Sequence, residues 1–407
     1  ASNLFNLSRQ YLAQMSYNGI RIDMDGVLGE QKKLELEIEK KKVELHNTEE
    51  ALWYRRKYDS EIKDSNKAIG EVLFSYKKLK PLKETKKGNY SVDEEVLNHY
   101  AEKENKFCQS LLELRKIEKR KSTYVDNLIL FAEVDNYIHP EFNLTTARSY
   151  RSSATDPNIQ NFPKRQEEGY ELRKFIIPSL GNELWSVDYS GNEVRGMACY
   201  SKDKNLIKWL WNGIDIHRYW AAQLYNKKEK EISKQERYNG KNSFVFPEFY
   251  GSYYKPIAEN LDIDKFWVRD IEKEFWSIFG GIREWQERYA KEYEKNGYIE
   301  LFFGFRRPGP LSQNQIFNTP IQGSSFHLVL MSIIRIGRYM QRKELRSKMI
   351  GEIHDSILFD VIPEESEDLV LAVTEIMENL EVEWAKIVPW KVDWEWSKKS
   401  WRDMREI

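Results

Sequence analysis

The 407-residue chain has only two cysteines, Cys108 and Cys199. Two isolated cysteines argue against a disulfide framework or a zinc site, and they suit a reducing compartment such as the cytoplasm. No run of about 18 apolar residues occurs, so no transmembrane helix is expected. The start, Ala1-Ser2-Asn3-Leu4-Phe5, lacks the basic region and apolar core of a signal peptide. There is no internal repeat and no low-complexity tract. Net charge is also nearly absent, at −1, which at first sight argues against a nucleic-acid partner. The distribution matters more than the sum. Residues 115–121 hold five cations and one acid, whereas 364–383 are rich in Glu and Asp. A basic cluster can grip phosphates while acids elsewhere cancel the total; on charge alone, a solvated helix face accounts for it equally well.

Aromatic residues are abundant, with 13 Trp and 23 Tyr, and the length suits two or three domains. Apolar spacing predicts a helix over 7–17 that ends at Asn18-Gly19. Residues 27–56 read as one long charged helix. Its apolar positions (Leu34, Leu36, Ile38, Val43, Leu45) are sparse, so it is expected to project rather than lie in a core. Short helices and polar loops follow over 58–104, including Lys86-Lys87-Gly88-Asn89, then an amphipathic basic helix over 107–126. Residues 143–165 are polar and poor in helix signals. A strand is predicted near 184–188, and helices dominate 205–300, with Asp215 and Ser233 as N-caps. Two apolar runs at 349–361 predict a hairpin with Asp355 at its tip. Leu369, Val373, Ile376, Met377, Leu380 and Trp384 share a helical face, and 390–396 alternate as a half-buried strand. The fold class is α+β: a small antiparallel sheet backed by helices, with helical lobes attached.

Two aspartates carry the chemistry. Asp188 lies in Trp185-Ser186-Val187-Asp188-Tyr189-Ser190-Gly191-Asn192-Glu193-Val194-Arg195, and Asp355 in Ile353-His354-Asp355-Ser356-Ile357. Each sits where an apolar strand meets a turn. Between them Arg237 and Lys241 are spaced i,i+4, on one helix face. Alone, such a pair is more readily an exposed, salt-bridged face. Two strand-borne carboxylates with phosphate-reaching cations fit phosphoryl transfer assisted by two hard cations. Arg can fork onto a phosphate and Lys can act as a point charge. His217 could reach a triphosphate, although a lone histidine is more often structural.

In order along the chain, these residues resemble family A DNA polymerases of the bacterial DNA polymerase I large-fragment type. Met15-x-x-Asn18-Gly19-Ile20-Arg21-Ile22-Asp23 is similar to the lead-in to that family's thumb. Lys119-x-Lys121-Ser122-Thr123-Tyr124 resembles its KxKSTY string. Arg151-x-Ser153 with Asp156-Pro157-Asn158-Ile159-Gln160-Asn161-Phe162-Pro163 resembles RLSS…DPNLQNIP. Asp188 to Arg195 resembles motif A, and Arg237-x-x-x-Lys241…Phe246-x-x-x-Tyr250-Gly251 resembles motif B. Asn318-x-Pro320-Ile321-Gln322-Gly323 resembles NxPVQG, and His354-Asp355 resembles motif C.

The resemblance implies a right-hand polymerase fold: a palm lead-in over 1–25, thumb 26–128, palm 129–204, fingers 205–310 and palm 311–407. It implies a template-directed, primer-dependent DNA polymerase that acts on primer–template DNA and dNTPs, as a monomer, with exonuclease or replication partners elsewhere. Asp188, Asp355 and the Tyr189 carbonyl would ligate two Mg²⁺, for which Mn²⁺ can substitute. Glu193 would be the steric gate against a ribose 2′-OH. Arg237, Lys241 and His217 would hold the triphosphate, and Lys241 would also donate to the leaving pyrophosphate. Phe246 would pack on the nucleotide and Tyr250 near the templating base. Arg151, Gln322 and His354 would touch the minor groove near the primer end, with Asn158, Gln160 and Asn161 also on DNA. Arg115, Lys119, Lys121, Ser122 and Thr123 would face the DNA backbone.

Several positions depart from the family pattern. Gly191-Asn192 replace Gln-Ile and are expected to loosen the packing beside Glu193. Ser356 stands where Glu is common, and Asn314 where Arg is common. Lys241 to Tyr250 spans nine residues, where the family spans eight. A one-residue insertion in a helix commonly appears as a π-bulge, so one is expected just before Pro247. Counting back from Tyr250 selects Phe246 as the stacking aromatic; counting forward from Lys241 lands on Val245, and Phe244 is a further candidate. Asp23-Met24-Asp25 is the only Asp pairing near the start, so no proofreading is expected from this chain. The abrupt start suggests a fragment, a processed product or a short polymerase, and the insertion hints at a phage source. A single-subunit RNA polymerase or a catalytically silent nucleic-acid-binding protein are the alternatives.

Overall fold

The computed structural model describes residues 2–85, 88–162 and 171–407. Ala1, Lys86, Lys87 and residues 163–165, named above, lie outside the described residues. The chain divides into two compact units, one formed by Ala1–Ile20, His139–Asn161 and Ile177–Ile407, the other by Arg21–Ile138 and Phe162–Ile176. The segment expected as thumb falls within the second unit, which begins a little earlier and takes in a later stretch. Among the described residues, no helix is long and apolar enough to cross a membrane.

The larger unit is built on a five-stranded antiparallel sheet. Its strand order is Arg405–Glu406, Val392–Ser397, Glu183–Tyr189, Ser356–Val361, Lys348–Ile353. The central strand, Glu183–Tyr189, is buried at every position except Asp188. Burial at alternate and intervening positions alike marks a strand covered on both faces, with Glu183 and Ser186 as its buried polar residues. The expected hairpin is present, with His354 at φ +64° in its turn. Behind the sheet runs the 30-residue helix Gln313–Arg342, which carries Pro320 in its interior and has nineteen buried residues. The helix Ser2–Asn18 packs on it and ends at Gly19, whose φ of +67° suits glycine.

Asp215 and Ser233 do cap helices, accepting from His217 N and Arg218 N and from Glu236 N respectively. The helix expected through Trp384 instead stops at Glu378. Leu380 is still buried, and Trp384 stacks on Phe302 at 4.2 Å from a separate turn. The face was real, but two elements supply it.

In the smaller unit, the single helix expected over 27–56 is two, Met24–His46 and Glu49–Tyr58. Thr48 divides them by capping the second through Ala51 N. The first does not project clear of a core. Val27, Leu34, Ile38 and Leu45 are buried, while Leu36 and Val43 are exposed. Spacings of seven and four give a narrow a/d-type seam, which a wide-stripe criterion overlooks. The basic helix is likewise interrupted: Lys106–Lys119 passes into a π-helical stretch, Arg120–Val125, before Asp126–Ala132.

One close approach fixes the first helix on the long one. A Cβ on Gly337 would lie 2.2 Å from the Tyr11 ring. Gly337→Ala is therefore expected to destabilise by about 1–3 kcal/mol through overpacking, outweighing the roughly 1 kcal/mol that alanine gains in a helix. Urea unfolding measures this; an unchanged midpoint would show that the two helices can part without cost.

Candidate active site

Antiparallel pairing brings the two aspartates together. Asp188 is the cross-strand partner of Ser356, so Asp355, one residue earlier in the turn, lies beside the same strand end. Both residues are partly exposed there, although Asp188 Oδ1 is itself buried. On the other flank Asp393 is the register partner of Asp188, a neighbour that no motif announced. Among the described residues no group of three or more His, Cys, Asp or Glu forms a cage for a metal. A pair of hard oxygen donors is what Mg²⁺ uses when water and substrate phosphates complete its shell, so Asp188, Asp355 and the Tyr189 carbonyl fit the implied ions.

Glu193 follows Asp188 on the first turn of the helix Asn192–Ser201. Gly191 precedes it at φ +59°, a left-handed conformation that glycine adopts without strain. The expected loosening beside Glu193 is not observed. Asn192 is buried, and Glu193 is held from two sides, by Arg151 Nη2 at 2.7 Å and by the Tyr250 hydroxyl. Burial, then the Glu193 charge, pushes the Tyr250 phenol well above its ordinary range. Gln322 lies beside the same hydroxyl. Asn314 is exposed on the first turn of the long helix.

Arg237 and Lys241 both lie near His217, on a helix that changes pitch between them. Arg237 lies in the α-helix Lys234–Asn239, and Lys241 in the π-helical stretch Gly240–Val245 that follows. This is the expected π-bulge before Pro247, with Phe246 N bonding Lys241 O five residues back. Five residues nearly complete one π turn, so Lys241 and Phe246 face the same way. The Lys241 ammonium sits 5.3 Å from the Phe246 ring centroid, within cation–π range. Phe246 also meets Tyr250 at 5.8 Å and His217 at 5.4 Å, while Phe244 and Val245 are buried. Of the three candidate positions, Phe246 alone keeps partial exposure. Gly240 lets this stretch approach the helix Ile216–Tyr225, since a Cβ there would lie 2.6 Å from His217 O.

Arg237 Nε donates to Asp215 Oδ2 at 2.6 Å. Burial opposes the Asp215 charge, but hydrogen bonds from Arg237 and the Arg218 amide outweigh it and hold the carboxyl below its usual range. His217 is buried, and neither ring nitrogen has a hydrogen-bond partner within the described protein. Burial, with Lys241 and Arg237 nearby, pushes it down to about 3, so it is a neutral imidazole rather than a cation.

Some expected DNA-facing residues are turned elsewhere. Gln160 is buried, with its amide on Ser152 Oγ at 2.8 Å and Glu352 Oε2 at 3.1 Å. Arg115 forks onto Asp64 at 2.6 and 2.8 Å, and Lys121 pairs with Glu35 and Asp126. Asn158, Asn161, His354, Lys119, Ser122 and Thr123 are exposed. Charge counting could not separate these groups, because pairing with distant carboxylates leaves no local trace.

Glu352 is the residue that sequence reasoning missed. It is fully buried on the strand before the hairpin turn and accepts from Ser152 and Gln160. Burial, reinforced by the Asp355 charge, pushes its carboxyl up to about 8. In the unfolded chain it would release its proton near the ordinary carboxyl value of about 4.3. Between these values only the unfolded state is ionised, so stability falls as pH rises through that window. In EDTA, the parent is expected to lose a few kcal/mol relative to Glu352→Gln between about pH 5 and pH 8. Parallel stability curves from denaturant titrations would contradict a neutral Glu352.

With this geometry in place, the relatives are informative. The sequence profile of DNA polymerase family A matches residues 31–403. DNA polymerase I of Bacillus subtilis (strain 168) is 31% identical over 84% of this chain and 40% of its own length. DNA polymerase I of Geobacillus stearothermophilus is 28% identical over 97% of this chain and 45% of its own. The chain thus spans less than half the length of these relatives. Among solved structures, the POL domain of Pol1 from M. smegmatis, in complex with DNA primer-template and dNTP, superposes with a TM-score of 0.82. It is 28% identical, over 97% of this chain and 70% of that one. The match across nearly the whole chain, with the paired aspartates and the cationic aromatic turn, means that this chain belongs to DNA polymerase family A.

Proposed function

We propose that the chain is a template-directed, primer-dependent DNA polymerase that extends a primer 3′-OH with dNTPs. The observation that carries the proposal is the register that places Asp355 beside Asp188 at the ends of two paired strands. These carboxylates and the Tyr189 carbonyl would hold two Mg²⁺ ions, for which Mn²⁺ can substitute. When bound, such ions stabilise the attacking and leaving oxygens of an in-line displacement.

The chain's own groups supply position and charge. The 3′ oxygen would bond to the α-phosphorus as the bond to the bridging oxygen breaks and pyrophosphate leaves. Lys241 would take the place beside that leaving group and donate its proton. Arg237 would contribute a second cation once it exchanges Asp215 for phosphate oxygens, and neutral His217 an N–H donor. Phe246 would support the incoming nucleotide, with Tyr250 toward the templating base. Glu193, held by Arg151 and Tyr250, would fill the space that a ribose 2′-OH needs. His354, Gln322, Asn158 and Asn161 would line DNA in the larger unit, and Lys119, Ser122 and Thr123 would meet backbone phosphates from the smaller one. For Arg151, Gln160, Arg115 and Lys121 we favour support of those neighbours over direct DNA contact, given their protein partners. The cytoplasm of a bacterial or phage-infected cell would be its setting.

A primer-extension assay tests the proposal. Asp188→Ala is expected to abolish dNTP addition; extension at the parental rate would place the reaction elsewhere. Lys241→Ala should lose on the order of a hundredfold in rate, the usual scale for removing a charge-stabilising group. Glu193→Ala should admit rNTPs more readily, and unchanged dNTP/rNTP selectivity would show that the gate is another residue. Robust unprimed RNA synthesis by the parent would favour an RNA polymerase instead.

A further inference from the structure

Glu248 has no part in the chemistry above, yet it lies on the turn that carries Phe246 and Tyr250, buried on the side away from them. It belongs to the single α turn Phe246–Phe249, two residues before Tyr250. Its side chain is fully buried, and neither carboxyl oxygen makes a hydrogen bond of normal geometry. Helix Lys265–Ile278 presents Glu272 and, as a weak hydrogen-bond donor, Trp276 to it, and helix Gly280–Asn296 presents Arg283. Glu272 is already engaged, accepting from Tyr254 N at 3.0 Å. The Arg283 guanidinium lies over the Trp276 ring at 5.8 Å, and its side chain is largely exposed, 3.9 Å from Glu287. One loosely held cation therefore serves three carboxyls, Glu248, Glu272 and Glu287.

The backbone around Glu248 departs from regular α-helix on both sides. Upstream lies the π-helical stretch Gly240–Val245, and downstream Gly251 at φ +83°. Pro247 offers no N–H, and Tyr250 N is shared between Phe246 O at 3.0 Å and Pro247 O at 3.1 Å. The main tie to the neighbouring helix is Gln286 Nε2, which donates to Glu248 O at 2.9 Å and Phe249 O at 3.0 Å. A buried polar group without partners is costly, so this packing is held at a disadvantage that a small displacement would relieve.

We propose that Glu248 is a positioning residue for the incoming nucleotide: its unsatisfied carboxyl gives the Phe246–Tyr250 turn a second arrangement, in which Glu248 meets Arg283. The inference rests on assigning Phe246 and Tyr250 to the nucleotide face. Burial, then the Glu272 charge, keeps the carboxyl neutral in the present packing, well above its ordinary range. Rising pH removes that proton and favours the arrangement paired with Arg283. Glu248 therefore acts on nucleotide affinity through the turn and does not touch the reacting atoms.

The test measures dNTP KM and kcat in primer extension from pH 6 to pH 9, for the parent, Glu248→Gln, Glu248→Leu and Arg283→Gln. The parent KM is expected to change at least threefold across the range. In both Glu248 variants it should be flat, with the kcat profile keeping its parental shape. Arg283→Gln should match the parent at low pH and depart from it at high pH. Hydrogen exchange supplies a readout independent of activity: the 246–250 amides should exchange more slowly in Glu248→Leu than in the parent. KM profiles that superimpose, together with unchanged exchange, would overturn the inference while leaving the polymerase assignment standing. A parent that does not extend primers would overturn the assignment, and the nucleotide role of Glu248 with it.

Discussion

The pairing of Glu183–Tyr189 with Ser356–Val361 is the constraint on which the site depends. Asp188 and Asp355 are far apart in sequence, and only this ladder makes them neighbours. A slip of one residue would turn Asp188 to the opposite face and leave two isolated carboxylates. The register is fixed by what lies around it. Val187, Ile357 and Phe359 are fully buried, and the Tyr189 hydroxyl bonds Ser332 on the long helix and Met377 O on another. An apolar core therefore dictates the geometry of a polar site.

Glu193 and the Phe246–Tyr250 turn follow from that anchor by short chains of contact. Asp188 leads through Gly191 into the helix that carries Glu193. Glu193 joins Arg151 to Tyr250, and Tyr250 joins Phe246, which meets His217 and Lys241. Ser152, beside Arg151, reaches Glu352 on the strand that leads back to Asp355. The site is thus a closed circuit of neighbours, each of which fixes the next. The charges in it are arranged to be compatible. Lys241 and Arg237 are the cations, while His217 between them is kept neutral and adds no third repelling charge.

Much of this was legible in the sequence wherever a signal was local. The central strands, the hairpin, the caps at Asp215 and Ser233, and the paired aspartates follow from periodicity and motif order. The π stretch in the fingers was legible too, because an extra residue between two fixed landmarks must go somewhere. The matching stretch at Arg120–Val125 had no second landmark to count from and was missed. Long-range pairing was equally hidden. Nothing near Arg115 announces Asp64, and nothing near Gln160 announces Glu352. Thus the position of a site residue was readable more often than the direction of its side chain. The seam of Val27, Leu34, Ile38 and Leu45 was overlooked for a related reason, since its charged neighbours outnumber it on every turn.

The two buried carboxyls, Glu352 and Glu248, mark the difference between a rigid and a movable support. Both are fully buried and both are held neutral. Glu352 Oε2 receives hydrogen bonds from Ser152 and Gln160, while Oε1 has no partner among the described residues, and the hairpin that bears Asp355 gains a bonded backing through that one oxygen. Glu248 has only Trp276 nearby as a weak donor, in a turn where Tyr250 N is shared between two carbonyls. On the proposed polymerase reading both would be needed. Carboxylates that held metal ions would have to stay fixed, because displacement of a reacting group by about 1 Å is already costly to rate. A turn that received each nucleotide would have to move once per addition, and a weakly partnered carboxyl is one way to keep two arrangements close in energy. The same residue type, at the same degree of burial, would thus serve opposite ends according to how firmly its oxygens are held.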